Sequence, residues 1–481
     1  MLFLVLFYFL FPMFIYQRKW MWVRDPVKKN RKKKPYKSFK KESISKYDDA
    51  DVIIVGGNIS ALVCGAALSK SGLKVIILEK DSTPGGSYKT HKCGNHTMDT
   101  GFRQLGDLNI TQVLDWLMEK KVWWTKLDEP ISELNAEGKT FKFMNSVTQT
   151  QNVMRSSFID ESSQGNFWQH FGKFKRSRRG LFHALKMYHM PQFMRESLQE
   201  LVASDFILYH KMSISDLLKE CGFNDECKLT KMFGVFESAG TLFEFILRHQ
   251  HGAYYPKDGF DSIVFELSQT IRTHGSYVLT DAKVTSIKPD QGTVVVCEQA
   301  LNAEKIVSAV SLNDTFTLIG REPPDLSIRA GRIQALIALP DDNEHKKVDK
   351  IIIKDDKHYV LTSRNKNALS ISVGYDEKPT DEQKKELSEE LLKIADLKST
   401  PKFINIVYRE NKRMINDKKK IIRACKPSTQ YRKLYITGKD MMHSESLEAA
   451  IEAGYLTANS ITNFGTILDI LTGNELIKVV E

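Results

Sequence analysis

The residues of this chain that could do chemistry first appear in a glycine turn, with an acidic residue about twenty positions after it. Gly56 and Gly57 interrupt an apolar run that begins at Val52, and Glu79 ends a second apolar run. The unpaired backbone N–H groups of such a turn, with the positive end of the helix that follows, bind a pyrophosphate. A carboxylate at the position of Glu79 accepts hydrogen bonds from an adenosine ribose. The spacing therefore predicts a dinucleotide site.

Two strands and a helix must position these residues. The apolar, β-branched run 52–55 is too short for a helix and is typical of a buried parallel strand. The small residues of 61–68 predict a helix, and Gly72 is its expected C-terminal stop. The run 74–78 predicts a second buried strand that leads into Glu79. Together these elements predict a βαβ unit of the dinucleotide-binding type.

The turn departs from the G-x-G-x-x-G pattern at its second position. The three positions are occupied by Gly56, Asn58 and Ala61. Alanine is accepted at the third position, whereas Asn58 places a side chain where the backbone should approach the phosphate closely. Asparagine tolerates left-handed backbone angles better than most residues, so the turn can form while the phosphate contact loosens. A Rossmann-type unit that no longer binds its nucleotide stays open as an alternative.

The segment after Glu79 narrows the choice of cofactor. It begins at Lys80, ends in Gly85-Gly86, and resembles the segment of FAD-dependent amine oxidases and carotenoid desaturases in which a double glycine passes the flavin. Residues 94–106 resemble the same region of retinol saturase and its relatives. The resemblance implies FAD as the cofactor, and NAD(P)H is a candidate electron donor.

Two later segments resemble the same branch of flavoproteins and occur in the same order. In 252–310, Val284 matches the family valine that packs near the adenine, and Asp258 stands where the family has a glycine. In 433–460, a strand runs into a glycine turn and then a small-residue helix, as in the closing FAD motif. The resemblance implies the following cofactor-binding residues: Gly56, Gly57, Asn58, Ser60, Ala61, Glu79, Lys80, Gly85, Gly86, Val284, Gly438, Asp440 and Leu447.

The order of these segments implies an α/β fold with a Rossmann-like FAD/NAD(P)-binding domain that is discontinuous in sequence. Residues 320–425 alternate strand-like runs with a charged helix expected over 380–396, which indicates a mixed α+β substrate domain. The predicted organisation is a signal anchor (1–23), a basic linker (24–47), FAD-binding parts (48–140, 251–318 and 429–481), a helical substrate- or membrane-facing region (141–250) and a substrate-domain sheet (319–428).

The N-terminal residues predict a membrane anchor. Residues 1–16 are very hydrophobic and carry no charge. A helix of that length rises about 24 Å, short of a hydrocarbon core of about 30 Å, but the apolar residues 20–23 extend it. A cleaved signal peptide, the alternative, needs a basic n-region and a small-residue cleavage site. Neither is visible, so an uncleaved signal anchor over 1–23 is favoured.

The formal net charge of +11 is concentrated in residues 28–41, which are rich in Lys and Arg and contain no acid. The remainder is close to neutral, so the composition does not predict a nucleic-acid partner. The positive-inside rule places the C-terminal side of the anchor in the cytosol, and the basic cluster can touch anionic lipid. A nuclear-localisation run is the alternative. We therefore expect a membrane-anchored protein with its catalytic part in the cytosol, and the family resemblance implies the endoplasmic reticulum membrane.

Cysteines and histidines give no sign of a metal site. The six cysteines are scattered and match neither a disulfide framework nor a zinc site, which agrees with a reducing compartment. The histidines between 183 and 251 lack ligand spacing such as H-E-x-x-H. Residues 173–188 form a basic amphipathic segment that could lie in a membrane surface or form a lid helix. No catalytic residue is identified.

The resemblance implies an oxidoreductase that reduces a conjugated double bond of a lipid-soluble polyene, such as a retinoid or carotenoid. A membrane anchor fits this hypothesis because such a substrate partitions into lipid. Two alternatives stay open. One is a carotenoid desaturase or cis–trans isomerase of the same branch. The other is a non-catalytic prenyl-lipid-binding protein that resembles Rab escort and GDP-dissociation-inhibitor proteins, which the departures at Asn58 and Asp258 favour.

Overall fold

Two large β-sheets and the helices packed on them make up the part of the chain that the computed structural model describes. The described residues are 36–40, 46–47, 49–93, 96–99, 105–106, 109–136, 139–157, 161–185, 197–198, 201–223, 228–234, 236, 238–249, 252–322, 328–338, 349–354, 357–365, 368–375, 380–395, 403–412, 427–438, 441 and 446–462.

The strands are numbered β1 to β19 in chain order. They are Lys37–Ser38, Ala50–Val55, Val75–Leu78, Thr90–Cys93, His96–Asp99, Trp124–Lys126, Ser132–Ala136, Lys139–Phe143, Tyr254–Pro256, Tyr277–Thr280, Val284–Lys288, Thr293–Val296, Gln299–Ser308, Ile328–Ala338, Asp349–Lys354, Lys357–Asn365, Ala368–Tyr375, Phe403–Lys412 and Leu434–Ile436.

The α-helices are numbered α1 to α12 in the same way. They are Ile59–Lys70, Asn109–Leu117, Val147–Ser157, Glu161–Leu185, Ser204–Lys211, Ile214–Glu220, Lys228–Phe233, Ala239–Arg248, Phe260–Thr273, Leu312–Leu318, Asp381–Ala395 and Leu447–Thr462. A short 3-10 helix covers Gly86–Tyr88.

The first sheet joins strands from distant parts of the chain. Its order is β1, β10, β3, β2, β13, β12 and β11, and β19 also pairs with β13. The pairs from β1 to β13 and the β13–β19 pair are parallel, whereas β11, β12 and the first half of β13 are antiparallel. The ends of β2, β3, β13 and β19 therefore lie at one edge of the sheet. The predicted α/β class with a Rossmann-like unit is confirmed.

Strand β2 is apolar throughout because both of its faces are buried. Alternate side chains of a strand point to opposite faces of the sheet. Val52 and Ile54 pack with residues of α1, α9 and α12, whereas Ile53 and Val55 pack with residues of β11, β12 and β13. The four side chains are at most 3% exposed. A strand buried on both faces has no polar position, which is why its sequence is a continuous apolar run.

Helices α1 and α12 are in close contact on one face of this sheet. A Cβ at Gly454 would overlap the backbone oxygen of Ser60 and lie 2.9 Å from Cβ of Val63. Only glycine therefore allows α12 to approach α1 this closely. The contact packs the first turns of α1 against the middle of α12.

The second sheet has the order β18, β14, β17, β16, β15, β7 and β8. Its pairs are antiparallel except β15 with β7. The strands expected between 320 and 425 are present, and the helix expected over 380–396 is α11. Strand β7 lies within the predicted first FAD-binding part, 48–140, but it pairs with β15 in this second sheet.

Helices α3 to α8 form an aromatic-rich core with the second sheet. Phe141 of β8, Phe167 and Phe174 of α4, and Phe243 of α8 are buried there. In the basic amphipathic segment, Lys173, Arg176 and Arg179 are exposed, but Arg178 points inward to Glu244. Arg178 is therefore paired within the protein, whereas the membrane-surface and lid-helix interpretations of 173–188 stay predictions. The side chains after 181 in this segment lie outside the described residues.

The N-terminal predictions mostly concern residues outside the described ranges. The anchor over 1–23 lies wholly outside them, and so does most of the basic stretch 28–41. In the described part of the chain, no helix combines the length and apolar character needed to cross a bilayer. The anchor, the linker 24–47 and the domain boundaries stay predictions.

Candidate functional site

The glycine turn lies where β2 ends and α1 begins. The Gly56 amide donates to the carbonyl oxygen of Leu78, 2.8 Å away, so the turn starts beside the end of β3. Gly56 has φ of +97°, a left-handed value that favours glycine. A Cβ at this position would lie 3.2 Å from Cγ1 of Val310. The turn therefore crosses close to the residues that follow β13.

Asn58 is built into this turn through both ends of its carboxamide. Its Oδ1 accepts from the Ala61 amide at 2.9 Å, which caps α1. Its Nδ2 donates to the carbonyl oxygen of Ala309 at 2.6 Å. The φ of Asn58 is −73°, so the turn does not use asparagine's tolerance of left-handed angles. The side chain instead fastens the start of α1 to the end of β13.

Glu79 closes the turn from the tip of β3. Its carboxylate is 5% exposed; Oε2 accepts from the Gly57 amide at 2.6 Å, and Oε1 accepts from the Asp81 amide at 3.0 Å. A Cβ at Gly57 would lie 2.8 Å from Oε2, so this close bond requires glycine. A carboxylate has about four acceptor sites, so two protein donors leave capacity for ribose hydroxyls.

The double glycine packs directly against the turn. The Gly85 amide donates to the carbonyl oxygen of Gly57 at 2.7 Å, and Gly85 bridges to Asn58 in parallel orientation. A Cβ at Gly86 would lie 2.7 Å from Cβ of Asn58. Lys80, between Glu79 and this segment, is exposed. The segment after Glu79 therefore folds back over the first turn.

The second glycine turn, at the end of β19, meets the first one. Gly438 has φ of +122°, and its hypothetical Cβ would lie 3.8 Å from Nδ2 of Asn58 and 3.9 Å from the carbonyl oxygen of Ala309. Thr437 precedes it, is 2% exposed, and donates its amide to the Ser308 carbonyl at 2.9 Å. Gly56 and Gly438 thus adjoin the same residue, Ala309. Asp440 lies outside the described residues.

Three other predicted residues occupy different surroundings. Ser60 is 2% exposed in the contact between α1 and α12, and Leu447 is 1% exposed in the apolar core. Val284 begins β11 and packs, partly buried, on the opposite face of the sheet. The residues just before Val284 lie beside the tip of β3, because the Ala282 amide donates to the Glu79 carbonyl oxygen at 2.8 Å.

Sequence reasoning missed Thr437. Its buried Oγ1 has no hydrogen-bond partner among the described residues, although it lies beside Gly438 at the edge where the strands end. A buried hydroxyl without a partner is costly unless a ligand or water supplies one. The signal in the sequence was a polar residue inserted between an apolar strand and a glycine.

The residues at this edge fit a dinucleotide in part. Two left-handed glycines allow close approach of a pyrophosphate, Glu79 faces the turn as a ribose acceptor, and the Thr437 hydroxyl is available. Asn58 is the residue that departs from the dinucleotide pattern, because its own side chain already accepts the hydrogen bond of the Ala61 amide. That amide would otherwise be one of the unpaired donors of the helix N-terminus.

Two buried cysteines and the metal-binding side chains of the described residues give no further site. Burial raises the pKa of the Cys64 thiol in α1 and raises the pKa of Cys221 to about 12, so neither is a ready nucleophile. Within the described ranges, no group of His, Cys, Asp and Glu side chains is arranged to hold a metal ion.

Comparisons with known proteins agree with this geometry. Residues 54–117 match the family of NAD(P)-binding Rossmann-like domains. The chain is 26% identical over 260 residues to all-trans-retinol 13,14-reductase of Rattus norvegicus, and 25% identical over 259 residues to an inactive all-trans-retinol 13,14-reductase of Danio rerio. Each match covers 50% of this chain and 42% of the relative. Prolycopene isomerase of Daucus carota is 26% identical over 55% of this chain and 47% of its own length.

Solved structures show the same fold. Putrescine oxidase bound to putrescine superposes with a TM-score of 0.59 at 15% identity, covering 86% of this chain and 99% of that one. Rab GDI of Plasmodium falciparum superposes with a TM-score of 0.51 at 13% identity, covering 86% and 98%. The matched region spans less than half the length of the curated relatives. The predicted resemblance is confirmed: this chain is similar to retinol 13,14-reductases and prolycopene isomerases, on a fold that it shares with amine oxidases and Rab GDI.

Proposed function

We propose that this chain is an FAD-dependent oxidoreductase acting on CH–CH groups, and that it reduces a conjugated double bond of a lipid-soluble polyene of the retinoid or carotenoid class. The observation that carries the proposal is the meeting of the Gly56 and Gly438 turns at Ala309, beside the carboxylate of Glu79. Open parallel sheets bind dinucleotides at this kind of edge. The relatives' names, retinol reductase and prolycopene isomerase, support the substrate class.

Bound FAD would supply hydride transfer to the substrate. The protein's own residues would hold the group: Glu79 would bind the ribose, the turns at Gly56 and Gly438 would let the pyrophosphate approach the N-terminus of α1 closely, and the Thr437 hydroxyl would bond a neighbouring polar atom. These groups together form the cofactor cradle, in which the 2.6 Å bond from the Gly57 amide holds the Glu79 carboxylate at the turn. Preformed polar groups of this kind reduce the ordering that binding requires.

The proposal also includes the electron donor and the membrane at which the enzyme acts. We propose NAD(P)H as electron donor and contact with the endoplasmic reticulum membrane through residues 1–23, with the basic residues 28–41 against anionic lipid. A substrate that dissolves in the bilayer is the reason to expect an enzyme at its surface. The basic residues on the C-terminal side of 1–23 support, by the positive-inside rule, a cytosolic position for the two sheets.

A carrier of prenyl lipids is the second candidate, and Asn58 is the observation that favours it. Its carboxamide already bonds the Ala61 amide and the Ala309 carbonyl, so the turn is closed by its own side chain. The fold likeness to Rab GDI is compatible with this candidate. A carotenoid desaturase or isomerase would use the same flavin site as the reductase.

Loading with FAD separates the candidates. The purified full chain is incubated with FAD, desalted and examined for absorbance at about 450 nm, where flavins absorb. The loaded protein is then incubated with all-trans-retinol or a carotenoid, in one reaction with NADPH as electron donor and in another with a quinone as electron acceptor, and the products are separated by mass and isomer. A product heavier by two hydrogen atoms supports the reductase, a lighter one the desaturase, and an isomer of equal mass the isomerase. A colourless protein that cannot be loaded contradicts all three and favours the carrier.

A further inference from the structure

Helix α12 carries two carboxylates on one buried face. Glu448 and Glu452 are one helical turn apart, so their side chains lie on the same side of the helix. Glu448 is 2% exposed, and the side chain of Glu452 is 17% exposed. Carboxylates are rarely buried to this degree unless specific partners hold them. The partner of Glu448 lies in the segment before α2, and the partners of Glu452 lie in α4 and α8.

Glu448 holds the segment before α2. Its Oε1 accepts from the Gly106 amide at 2.6 Å. The preceding residue, Leu105, exchanges two backbone hydrogen bonds of 2.7 and 2.8 Å with Tyr254 of β9. Strand β9 pairs with β6, from which the chain continues into the second sheet. Glu448 therefore connects α12 to the two-stranded β6–β9 ribbon, after which the chain enters the second sheet.

Glu452 contacts the helices that pack on the second sheet. Its Oε1 lies 3.6 Å from Nη2 of Arg178 in α4, and Nε of Arg178 donates to Oε1 of Glu244 in α8 at 2.6 Å. The Arg178 and Glu244 side chains are 16% and 9% exposed. One guanidinium thus joins three helices, and its charge-assisted hydrogen bond to Glu244 is of a kind about twice as strong as a neutral one.

We propose that Glu448 and Glu452 are positioning residues. They hold the substrate region, meaning the second sheet with helices α3 to α8, in a fixed position relative to the edge where the Gly56 and Gly438 turns meet. Helix α12 follows the Gly438 turn, so a shift of this helix moves one wall of the cradle. Glu448 fixes that helix to the β6–β9 ribbon, and Glu452 fixes it, through Arg178, to α4 and α8. Transfer between a bound cofactor and a substrate is sensitive to displacements of about 1 Å. This inference rests on the proposed function.

The test compares Glu448→Gln, Glu452→Gln and Arg178→Met with wild type in the full chain loaded with FAD. Glutamine keeps the size of the side chain and removes its charge. The control is Glu389→Gln, on an exposed position of α11. The measurements are FAD bound per chain, the visible circular dichroism of the flavin, the urea unfolding midpoint, and kcat per bound flavin and KM with all-trans-retinol and NADPH.

We expect each of the three variants to bind FAD within about threefold of wild type. We also expect altered visible circular dichroism and a fall in kcat per bound flavin of about tenfold or more, since misplacement of reacting groups lowers the rate rather than the occupancy. The control should match wild type. A purely structural role would lower the unfolding midpoint and leave both flavin readouts unchanged. Visible circular dichroism and kcat equal to wild type would overturn this inference alone, whereas failure of wild type to bind FAD would overturn the proposed function with it.

Discussion

Replacing Asn58 with glycine tests whether the Asn58 side chain closes the first glycine turn. The change restores the usual glycine of the pattern and removes two hydrogen bonds. The variant loses the cap on the Ala61 amide at 2.9 Å and the bond to the Ala309 carbonyl at 2.6 Å. It also frees the Ala61 amide, which can then donate to a phosphate. We expect lower stability without ligand and tighter retention of FAD in the same variant.

The magnitude of the stability loss follows from three contributions. Replacing an asparagine cap by glycine costs a few tenths of a kcal/mol. Loss of the bond to Ala309 costs about 0.5–1.5 kcal/mol. The greater freedom of glycine in the unfolded chain adds about 0.5–1 kcal/mol. The unfolding free energy of Asn58→Gly should therefore be lower by about 1–3 kcal/mol.

Urea denaturation followed by circular dichroism, with and without FAD, measures both effects. Asn58→Asp is the matched variant, because aspartate keeps the acceptor for Ala61 but cannot donate to the Ala309 carbonyl. It should lose stability, and its added negative charge near the cradle should weaken FAD binding. FAD should stabilise Asn58→Gly more than wild type, since tighter binding to the folded state raises the midpoint further. Equal unfolding midpoints for Asn58→Gly and wild type would refute the reasoning about this turn.

Three further predictions concern single residues. Gly454→Ala places a methyl group against the Ser60 backbone, so the free energy of unfolding measured by denaturation should fall by about 1–3 kcal/mol. The control is Gly165→Ala on α4, where a Cβ meets open space, and it should be neutral or stabilising. Glu79→Ala removes the acceptor of the Gly57 amide and the proposed ribose contact, so FAD content measured after desalting should fall about tenfold; retention at the wild-type level would contradict the assigned role. Burial raises the pKa of Tyr209 from 10.0 to about 12, so stability should decline as pH rises across that window, because the unfolded chain loses the proton first. Tyr209→Phe should flatten this decline in a pH series of denaturation curves, and an unchanged slope would contradict it.

The local parts of the site were predictable from the sequence. The run 52–55, the glycine turn and Glu79 lie within one βαβ unit, where strand length, helix period and spacing follow directly from residue type. The family resemblance supplied the order of the later segments, and the structure brings Gly438 to the first turn. These predictions needed only the local pattern or a known order of motifs.

The contacts that shape the site were not predictable in the same way. The Asn58–Ala309 bond joins residues 251 positions apart, so the side chain could be interpreted only as an obstacle to phosphate. Arg178 lies in the basic segment 173–188, and nothing in that local pattern indicates that its partners come from α8 and α12. Strand β7 pairs with a strand more than two hundred positions later. Long-range pairing of this kind leaves no periodic signal in the sequence.

A fluorescence titration of FAD into the purified full chain tests the central claim most directly. The two glycine turns should enclose a single dinucleotide, so quenching should saturate at about one FAD per chain. The same titration of Gly438→Val should show little or no saturable binding, because a side chain there requires a strained φ and projects toward Asn58. Absence of saturable binding to wild type, or equal binding by Gly438→Val, would contradict the account.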